Sequence, residues 1–376
     1  MGLHWHSPLY ADSRCIDVIL GATSVSSSPP RPLSEAQYFH LQVIDALNGH
    51  LRNHPNFRDR PINHLLHLNE GAEVYTYLVE FLDGASIVVR VPRPYAAEEA
   101  QLQQRVIASF PREMTLMRSL QTANHPGLAH ILPIREMIRI RVNGEELPVQ
   151  ILPARMSQAT QTDNSVPNTF DRYLSRYGRD GHLLRPPLEI LRVWRQMALA
   201  ALALHSLRDA TYPNGVAHLD IKPTNIFVTE VDGQIAVQLG DLGAHAQMGR
   251  LQEGINGSII ASHPYVAPER LRLVPHTTQI TPAEPAQDVY SLLVVYYASV
   301  LGREPGESFR TMDNAVLNAL PPQIQRVLRL FPESAQRNSR INAQRLLQEI
   351  DRGIQELNSL QPTPTSVPVP MIQQAN

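Results

Sequence analysis

Hydrophobic residues recur with different spacings along the chain, and the spacings predict strands first and long helices later. Residues 73–81 and 86–91 have the composition of β-strands, and the Asp83-Gly84 pair between them predicts a tight hairpin turn. Residues 97–120 have the pattern of a helix, and residues 188–207 form a longer, strongly apolar helical stretch. The pattern therefore predicts a mixed fold in which a strand-rich part precedes a helix-rich part.

A second hairpin is predicted next to a polar loop. Two apolar runs, residues 226–229 and 235–239, flank an Asp-Gly pair at positions 232 and 233, which is a strong hairpin signal. The turn sends the chain back along itself. We therefore expect Asp241, which follows the second run, to lie beside the polar loop at residues 220–225.

The side chains that this hairpin gathers suit one kind of chemistry. They are two carboxylates, an amide and an ammonium group, carried by Asp220, Asp241, Asn225 and Lys222. Phosphoryl transfer needs an acceptor that orients the attacking hydroxyl, oxygen ligands for a hard divalent ion, and a cation that opposes the phosphate charge. We therefore expect a phosphoryl-transfer site here. The alternative is an ordinary hairpin beside a polar loop.

These residues resemble motifs of the protein kinase family. The stretch HLDIKPTN, followed downstream by Asp241-Leu242-Gly243, is similar to the family's catalytic loop and metal-binding motif. The resemblance implies an α+β, two-lobed fold with a small β-rich N-lobe, a larger mainly helical C-lobe, and N- and C-terminal extensions. It also implies ATP as the phosphate donor, Asp220 as catalytic base, and Asn225 and Asp241 as ligands of Mg²⁺ or Mn²⁺. Lys222 would contact the transferred phosphate, as in serine/threonine rather than tyrosine kinases.

The strand-rich part departs from the family's nucleotide-binding pattern at two places. Only Gly71 stands where the family has a glycine-rich flap over the phosphates. Arg90 stands at the position of the ATP-binding lysine, with Arg93 as the alternative register, and guanidinium is bulkier than ammonium. Glu113 resembles the helix glutamate that pairs with this lysine, so we expect an ion pair between Arg90 and Glu113. The arginine is either tolerated in a reshaped site or marks a pseudokinase.

Other segments resemble structural positions of the same family. ASHPYVAPER places Ser262 at the hydroxyl that bridges the catalytic aspartate and lysine, and it implies that Glu269 pairs with Arg340. Asp288 resembles the buried carboxylate that holds the backbone of the catalytic loop. Leu219 replaces the arginine that normally reads an activation-loop phosphate, so we do not expect activation-loop phosphorylation to be the switch.

Composition and the resemblance together divide the chain. The expected segments are an N-terminal extension with a Ser/Pro-rich linker and a helix at 1–60, a kinase-like N-lobe at 61–156, a kinase-like C-lobe at 157–352, and a disordered Pro/Thr-rich tail at 353–376. The helix in the extension is predicted to begin near Ser34. It either packs on the kinase-like domain or holds a partner, and the sequence does not decide between them.

Charge and cysteine content exclude several classes of partner and site. The formal net charge of −2 gives no indication of nucleic acid or of an anionic membrane surface as partner. The longest apolar run, residues 292–301, is about half the length of a membrane span, so no span is expected. Cys15 is the only cysteine, which excludes intrachain disulfides and cysteine-rich metal sites.

The lysine content is unusual. Lys222 is the only lysine among 33 basic residues, although lysine is one of the commonest residues in globular proteins. Lysine is the acceptor for ubiquitin, so a protein that must persist in a eukaryotic cytosol gains from lacking it. This favours an effector that a bacterium secretes into the host cytoplasm, where a host protein is its substrate and a host activator a further partner. The alternative is an unexplained compositional bias in a cytoplasmic protein.

The sequence thus predicts a serine/threonine protein kinase that transfers the γ-phosphate of ATP to a protein hydroxyl. The alternative from another class is a pseudokinase scaffold that binds a host protein with little or no catalysis. Arg90 and the glycine-poor flap favour that alternative. A third function, transfer of a different part of ATP such as AMP, has no positive support among the residues.

Overall fold

A computed structural model describes residues 35–70, 73–94, 100–153, 169–231, 234–250, 252–253, 263–271, 279–306, 309, 311–331 and 341–360. The chain forms two compact units. The first runs to residue 117 and includes 133–167, and the second comprises 118–132 and the chain from 168 onward. Strands dominate the first unit and helices the second, which confirms the expected α+β class.

The first unit is built on one antiparallel sheet. Its helices are α1 (Glu35–Asn53) and most of α2 (Ala100–Ala123), and its strands are β1 (Ile62–Glu70), β2 (Val74–Phe81), β3 (Ser86–Pro92), β4 (Glu136–Val142) and β5 (Glu145–Pro153). The strand order is β1-β2-β3-β5-β4. Strands β2 and β3 are the predicted pair, and the turn between them is formed as predicted. Gly84 adopts a φ of +80° there, and the Asp83 carboxylate accepts a hydrogen bond from the Ala85 N–H.

Helix α1 is part of the core of the first unit. Val43, Leu47 and Leu51 lie on one side of α1 and are buried in the same cluster as alternate residues of β2 and β3. The helix therefore packs on the kinase-like part of the chain, the first of the two arrangements left open by the sequence. Removing α1 would expose an apolar sheet face to water. The predicted linker before residue 35 lies outside the described residues.

The second unit is mainly helical. Its described helices are α3 (Phe170–Tyr177), α4 (Pro187–Ser206), α5 (Pro285–Leu301), α6 (Asn314–Ala319), α7 (Pro322–Leu328) and α8 (Ala343–Ser359). Its described strands are β6 (Gly178–Arg179), β7 (His182–Leu183), β8 (Val216–Ala217), β9 (Ile226–Val231), β10 (Gln234–Leu239), β11 (Ala246–Gln247), β12 (Gln252–Glu253) and β13 (Gln279–Ile280). Helix α4 is the apolar helix predicted at 188–207.

Helices α4 and α5 form the centre of the second unit. The rings of Trp194 in α4 and Tyr296 in α5 stack with centroids 4.6 Å apart, and the Tyr296 O–H donates to the Trp194 carbonyl at 2.8 Å. The longest apolar run of the sequence lies in α5, which is buried along almost its whole length. None of the helices in the described ranges has both the length and the hydrophobicity to cross a membrane.

The C-terminal boundary differs from the prediction. The predicted disordered tail starts at 353, whereas α8 continues to Ser359. The last turns are fixed by packing and by an ion pair. Gly353 is buried so close to α4 that an added Cβ would lie 2.9 Å from the Leu191 side chain, and both carboxylate oxygens of Glu356 accept from Arg326, at 2.8 and 2.9 Å. Residues after 360 lie outside the described part of the chain.

Candidate active site

The hairpin of β9 and β10 brings the two ends of the predicted site together. The strands pair antiparallel from Val231 and Gln234 to Ile226 and Leu239, and the two turn residues lie outside the described ranges. Beyond the last pair, the Gly240 N–H donates to the Asn225 carbonyl at 2.9 Å. Asp241 follows Gly240 directly, so the chain carries it to the position beside the polar loop that the sequence predicts.

The polar loop is organised around one carboxylate oxygen of Asp220. This oxygen, Oδ2, lies 2.9 Å from Nζ of Lys222 and also accepts a hydrogen bond of 2.9 Å from Nδ2 of Asn225. The Asn225 amide donates to the Asp220 carbonyl as well, again at 2.9 Å. A carboxylate, an ammonium group and an amide are thus in direct contact, and the carboxylate and the ammonium group are each about one quarter exposed to solvent.

The hydrogen bonds of Asn225 fix the direction of its amide. Both groups that Nδ2 contacts on Asp220 are acceptors, so the amide nitrogen faces Asp220 and the amide oxygen is directed away from it. Asp241 has a left-handed backbone with a φ of +57°, which turns the chain sharply at the end of β10. Asn225 and Asp241 therefore offer oxygen donors on adjoining segments, and oxygen is the ligand atom that Mg²⁺ requires.

Asp288, at the start of α5, anchors the polar loop. Its two carboxylate oxygens accept hydrogen bonds from the backbone N–H groups of His218 and Leu219, at 2.7 and 2.8 Å, and His205 contacts the carboxylate at 2.8 Å. Burial by itself raises the pKa of Asp288. The hydrogen bond and the electrostatic attraction from His205, helped by His218 and the Leu219 N–H, outweigh burial, so the pKa lies below its ordinary value. An ionised aspartate thus holds the segment just before Asp220.

Two contacts at this loop were missed by sequence reasoning. His218 Nε2 lies 3.0 Å from the Gly240 carbonyl, while its Nδ1 accepts from the Asp220 N–H at 3.3 Å. A carbonyl only accepts, so the proton is on Nε2, and the imidazole links the loop to the segment that carries Asp241. The buried guanidinium of Arg270 donates to the carbonyl of Leu219, the residue that replaces the family's arginine.

Arg90 in β3 donates hydrogen bonds to side chains of Glu113 and Gln150 in the first unit. Its NH1 group donates to Oε2 of Glu113 in α2 at 3.3 Å and to Oε1 of Gln150 in β5 at 3.0 Å. Arg90, and not Arg93, is therefore the residue that forms the predicted ion pair with Glu113. The alternative residue, Arg93, lies over the ring of Tyr75 instead. Gln150 carried no signal in the sequence, because it is a single polar residue within the apolar run 147–152.

Several predicted positions lie outside the described residues. They are Gly71 of the flap, Ser262 and Arg340. The predicted ion pair between Arg340 and Glu269 is therefore not described either. The roles assigned to these residues stay predictions.

A sequence model of the protein kinase domain matches residues 170–357, which is half of the chain. The chain belongs to the protein kinase family. Serine/threonine-protein kinase PknA of Mycobacterium tuberculosis is 29% identical over 209 residues, 55% of this chain and 41% of PknA. Serine/threonine-protein kinase PknL of the same species is 29% identical over 156 residues, 38% of this chain and 35% of PknL.

A third relative comes from Corynebacterium efficiens. It is named serine/threonine-protein kinases drp72, and it is 32% identical over 148 residues, 39% of this chain and 25% of that protein. The chain thus spans less than half the length of each of these relatives.

Proposed function

We propose that this chain is a serine/threonine protein kinase that transfers the γ-phosphate of ATP to a protein hydroxyl. The observation that carries the proposal is the contact of Lys222 and Asn225 with one oxygen of Asp220, on a loop that a hairpin joins to Asp241. Membership of the protein kinase family and the serine/threonine kinase names of the relatives support the same reaction.

In the proposed reaction, Asp220 accepts the hydrogen bond of the substrate hydroxyl and takes its proton. The hydroxyl oxygen bonds to the γ-phosphorus as the bond from that phosphorus to the bridging oxygen breaks, and ADP leaves. Lys222 holds a positive charge 2.9 Å from the same carboxylate oxygen, where it both orients Asp220 and offsets the charge of the transferred group. Its resemblance to the family's ATP-binding lysine assigns Arg90 the role of offsetting nucleotide phosphate charge.

The residues fit a divalent ion of the Mg²⁺ or Mn²⁺ type. Asn225 and Asp241 offer oxygen donors only, and the amide oxygen of Asn225 is directed away from Asp220 by the hydrogen bonds of its nitrogen. Mg²⁺ is normally held by one or two carboxylates together with phosphate oxygens and water, so two protein ligands suffice. Such an ion would supply positive charge that offsets the charge of the phosphates.

Transfer from ATP labelled separately at the γ- and α-phosphates tests the proposal, with mixed eukaryotic cell lysate as substrate and Mg²⁺ or Mn²⁺ present. We expect label from the γ-phosphate only, and we expect Asp220→Asn and Asp241→Asn to abolish it. Asp180→Asn is the control, because Asp180 is an exposed carboxylate of the second unit that contacts Arg303 at 3.6 Å. Label from the α-phosphate would replace the kinase reaction with transfer of AMP.

The second candidate function is a pseudokinase scaffold, and the arginine at position 90 is the observation that favours it. Such a scaffold binds a host protein with little or no catalysis. Absence of label from either phosphate, with lysate supplying host activators and both metal ions tried, would favour the scaffold over the kinase.

We also propose that the chain acts as a secreted effector in the cytoplasm of a eukaryotic host cell, on a host protein. The retention of a single lysine among 33 basic residues supports this, because ubiquitin needs lysine side chains. The one lysine that remains contacts Asp220, where an ammonium group is needed for the reaction.

A further inference from the structure

Of the hydrogen bonds that the structure gives between Arg90 and the side chains of Glu113 and Gln150, the one to Gln150 is the shorter. The distance from Arg90 NH1 to Gln150 Oε1 is 3.0 Å, whereas the distance to Glu113 Oε2 is 3.3 Å. Both distances lie within the range of a hydrogen bond. The glutamine therefore contributes as directly as the glutamate to the position of the guanidinium.

The register of the sheet places Gln150 directly beside Arg90. Arg90 in β3 and Gln150 in β5 are direct partners in the antiparallel register, so their side chains lie side by side on one face of the sheet. Gln150 is fully buried. Its neighbours in β5, Val149 and Ile151, point to the opposite face and belong to the apolar core with α1.

The contact with Arg90 satisfies one half of the buried amide of Gln150 and, within the described ranges, leaves the other half unpaired. Arginine has donors and no acceptor, so the amide oxygen must face Arg90 and the amide nitrogen must face away. Among the residues that the structure describes, that nitrogen has no hydrogen-bond partner, although it is buried. A methionine would fill a similar volume without an unpaired donor. We therefore attribute the glutamine at position 150 to the hydrogen bond that its amide oxygen accepts from Arg90.

We infer that Gln150 is a positioning residue that adapts the nucleotide site to an arginine. The inference rests on the proposed kinase function. The guanidinium is longer and flatter than the ammonium group of the family's lysine. Gln150 in β5 and Glu113 in α2 both accept hydrogen bonds from NH1. Together they orient the guanidinium that, under the proposed function, offsets the charge of the ATP phosphates. Arg90 and Gln150 therefore act as a pair, and replacing either residue removes the contribution of both to ATP binding.

A double-mutant cycle on the full chain tests this inference, with the Kd of Mg²⁺–ATP measured by titration calorimetry. We expect Gln150→Met to raise the Kd about tenfold, and Arg90→Lys to do the same. In the double variant the ammonium group no longer needs the amide. We therefore expect a Kd about tenfold above that of the native chain, rather than about a hundredfold as independent sites would give.

Gln42→Met is the matched control. Gln42 lies in α1 of the same unit, and its side chain also has a buried polar atom with no hydrogen-bond partner among the described residues. We expect this variant to bind Mg²⁺–ATP like the native chain. Thermal unfolding of each variant checks that the fold is retained, and Gln150→Leu takes the place of Gln150→Met if the latter shows no cooperative transition.

The outcomes separate this inference from the proposed function. If Gln150→Met binds Mg²⁺–ATP like the native chain while Arg90→Ala binds it weakly, the positioning role is wrong and the kinase proposal stands. Independent losses that multiply in the double variant overturn the pairing in the same way. A native chain that binds no Mg²⁺–ATP in the calorimeter overturns both.

Discussion

Asp220 and Lys222 are in direct contact, with 2.9 Å between Oδ2 and Nζ, and Lys222 is the only lysine in the chain. Arginine carries the positive charge at every other basic position, yet this one has kept an ammonium group. A compact ammonium fits beside a carboxylate oxygen that also accepts from Asn225, whereas a planar guanidinium needs more room. Under the proposed function, this contact is the reason that the position keeps an ammonium group.

Replacing this lysine should therefore reduce phosphate transfer without unfolding the protein. We expect Lys222→Met to lower kcat about a hundredfold, because it removes one preorganised charge from the transition state. Lys222→Arg should rescue only part of the loss. Initial rates of γ-phosphate transfer measure both effects. Equal rates for Lys222→Arg and the native chain would show that the ammonium group has no special role.

The single lysine also allows a chemical test. Reductive dimethylation modifies lysine side chains and the N-terminal amine, so Lys222 is the one side chain that can react. We expect treated protein to lose transfer activity and Mg²⁺–ATP to protect it, since the phosphates would shield Lys222. Treated protein that retains full activity, with complete modification at Lys222 shown by mass spectrometry, would contradict the proposed role.

Asp288 should contribute strongly to stability. We expect Asp288→Asn to lower the free energy of unfolding by about 2–3 kcal/mol, because the N–H groups of His218 and Leu219 lose a charged acceptor. Urea unfolding of the native chain and the variant measures this difference. The exposed substitution Asp180→Asn is the control and should change stability by less than about 0.5 kcal/mol. A stable Asp288→Asn variant would show that the anchor is dispensable.

The same carboxylate predicts a pH dependence. The pKa of Asp288 is lowered in the folded protein and returns to its ordinary value of 3.8 in the unfolded chain. The unfolded chain therefore takes up the proton first, and the stability due to Asp288 is complete above pH 3.8 and is lost as the pH falls below it. We expect the difference in unfolding free energy between the native chain and Asp288→Asn to shrink below about pH 4. A difference independent of pH would contradict the lowered pKa.

Local sequence signals were enough for the elements but not for contacts between distant segments. The hairpin of β9 and β10 and the turn at Gly84 were predictable, because Asp-Gly pairs between apolar runs specify tight turns locally. The pairing of Arg90 with Gln150 was not, because strand register depends on partners 60 residues apart along the chain.

Local sequence patterns also did not predict where α8 ends or which surface α1 packs against. The apolar side of α1 looks the same whether it packs on this chain or on another protein, so only the sheet face beneath Leu47 identifies its partner. The Pro/Thr-rich stretch begins only at Pro362, so composition gives no signal for the boundary between 353 and 360. The buried position of Gly353 and the ion pair of Glu356 keep the helix intact to Ser359.

The proposed host location makes a prediction about turnover. Arg58, Arg141 and Arg352 are exposed to the extent of 67, 72 and 66%. Exchange of these arginines for lysine keeps the charge and should leave folding unchanged. We expect the triple lysine variant to have a shorter half-life in eukaryotic cytosol, restored by a proteasome inhibitor, because it offers ubiquitin acceptors. A triple glutamine variant at the same sites is the control, and an unchanged half-life of the lysine variant would contradict the proposal.

Phosphoamino acid analysis tests the central claim most directly. Native chain, Asp220→Asn and Asp180→Asn are each incubated with γ-labelled ATP, Mg²⁺ and eukaryotic lysate, and the labelled protein is hydrolysed to its amino acids. The account predicts labelled phosphoserine or phosphothreonine with the native chain and Asp180→Asn, and none with Asp220→Asn. Equal labelling by Asp220→Asn, or no labelled phosphoamino acid with the native chain, would contradict it.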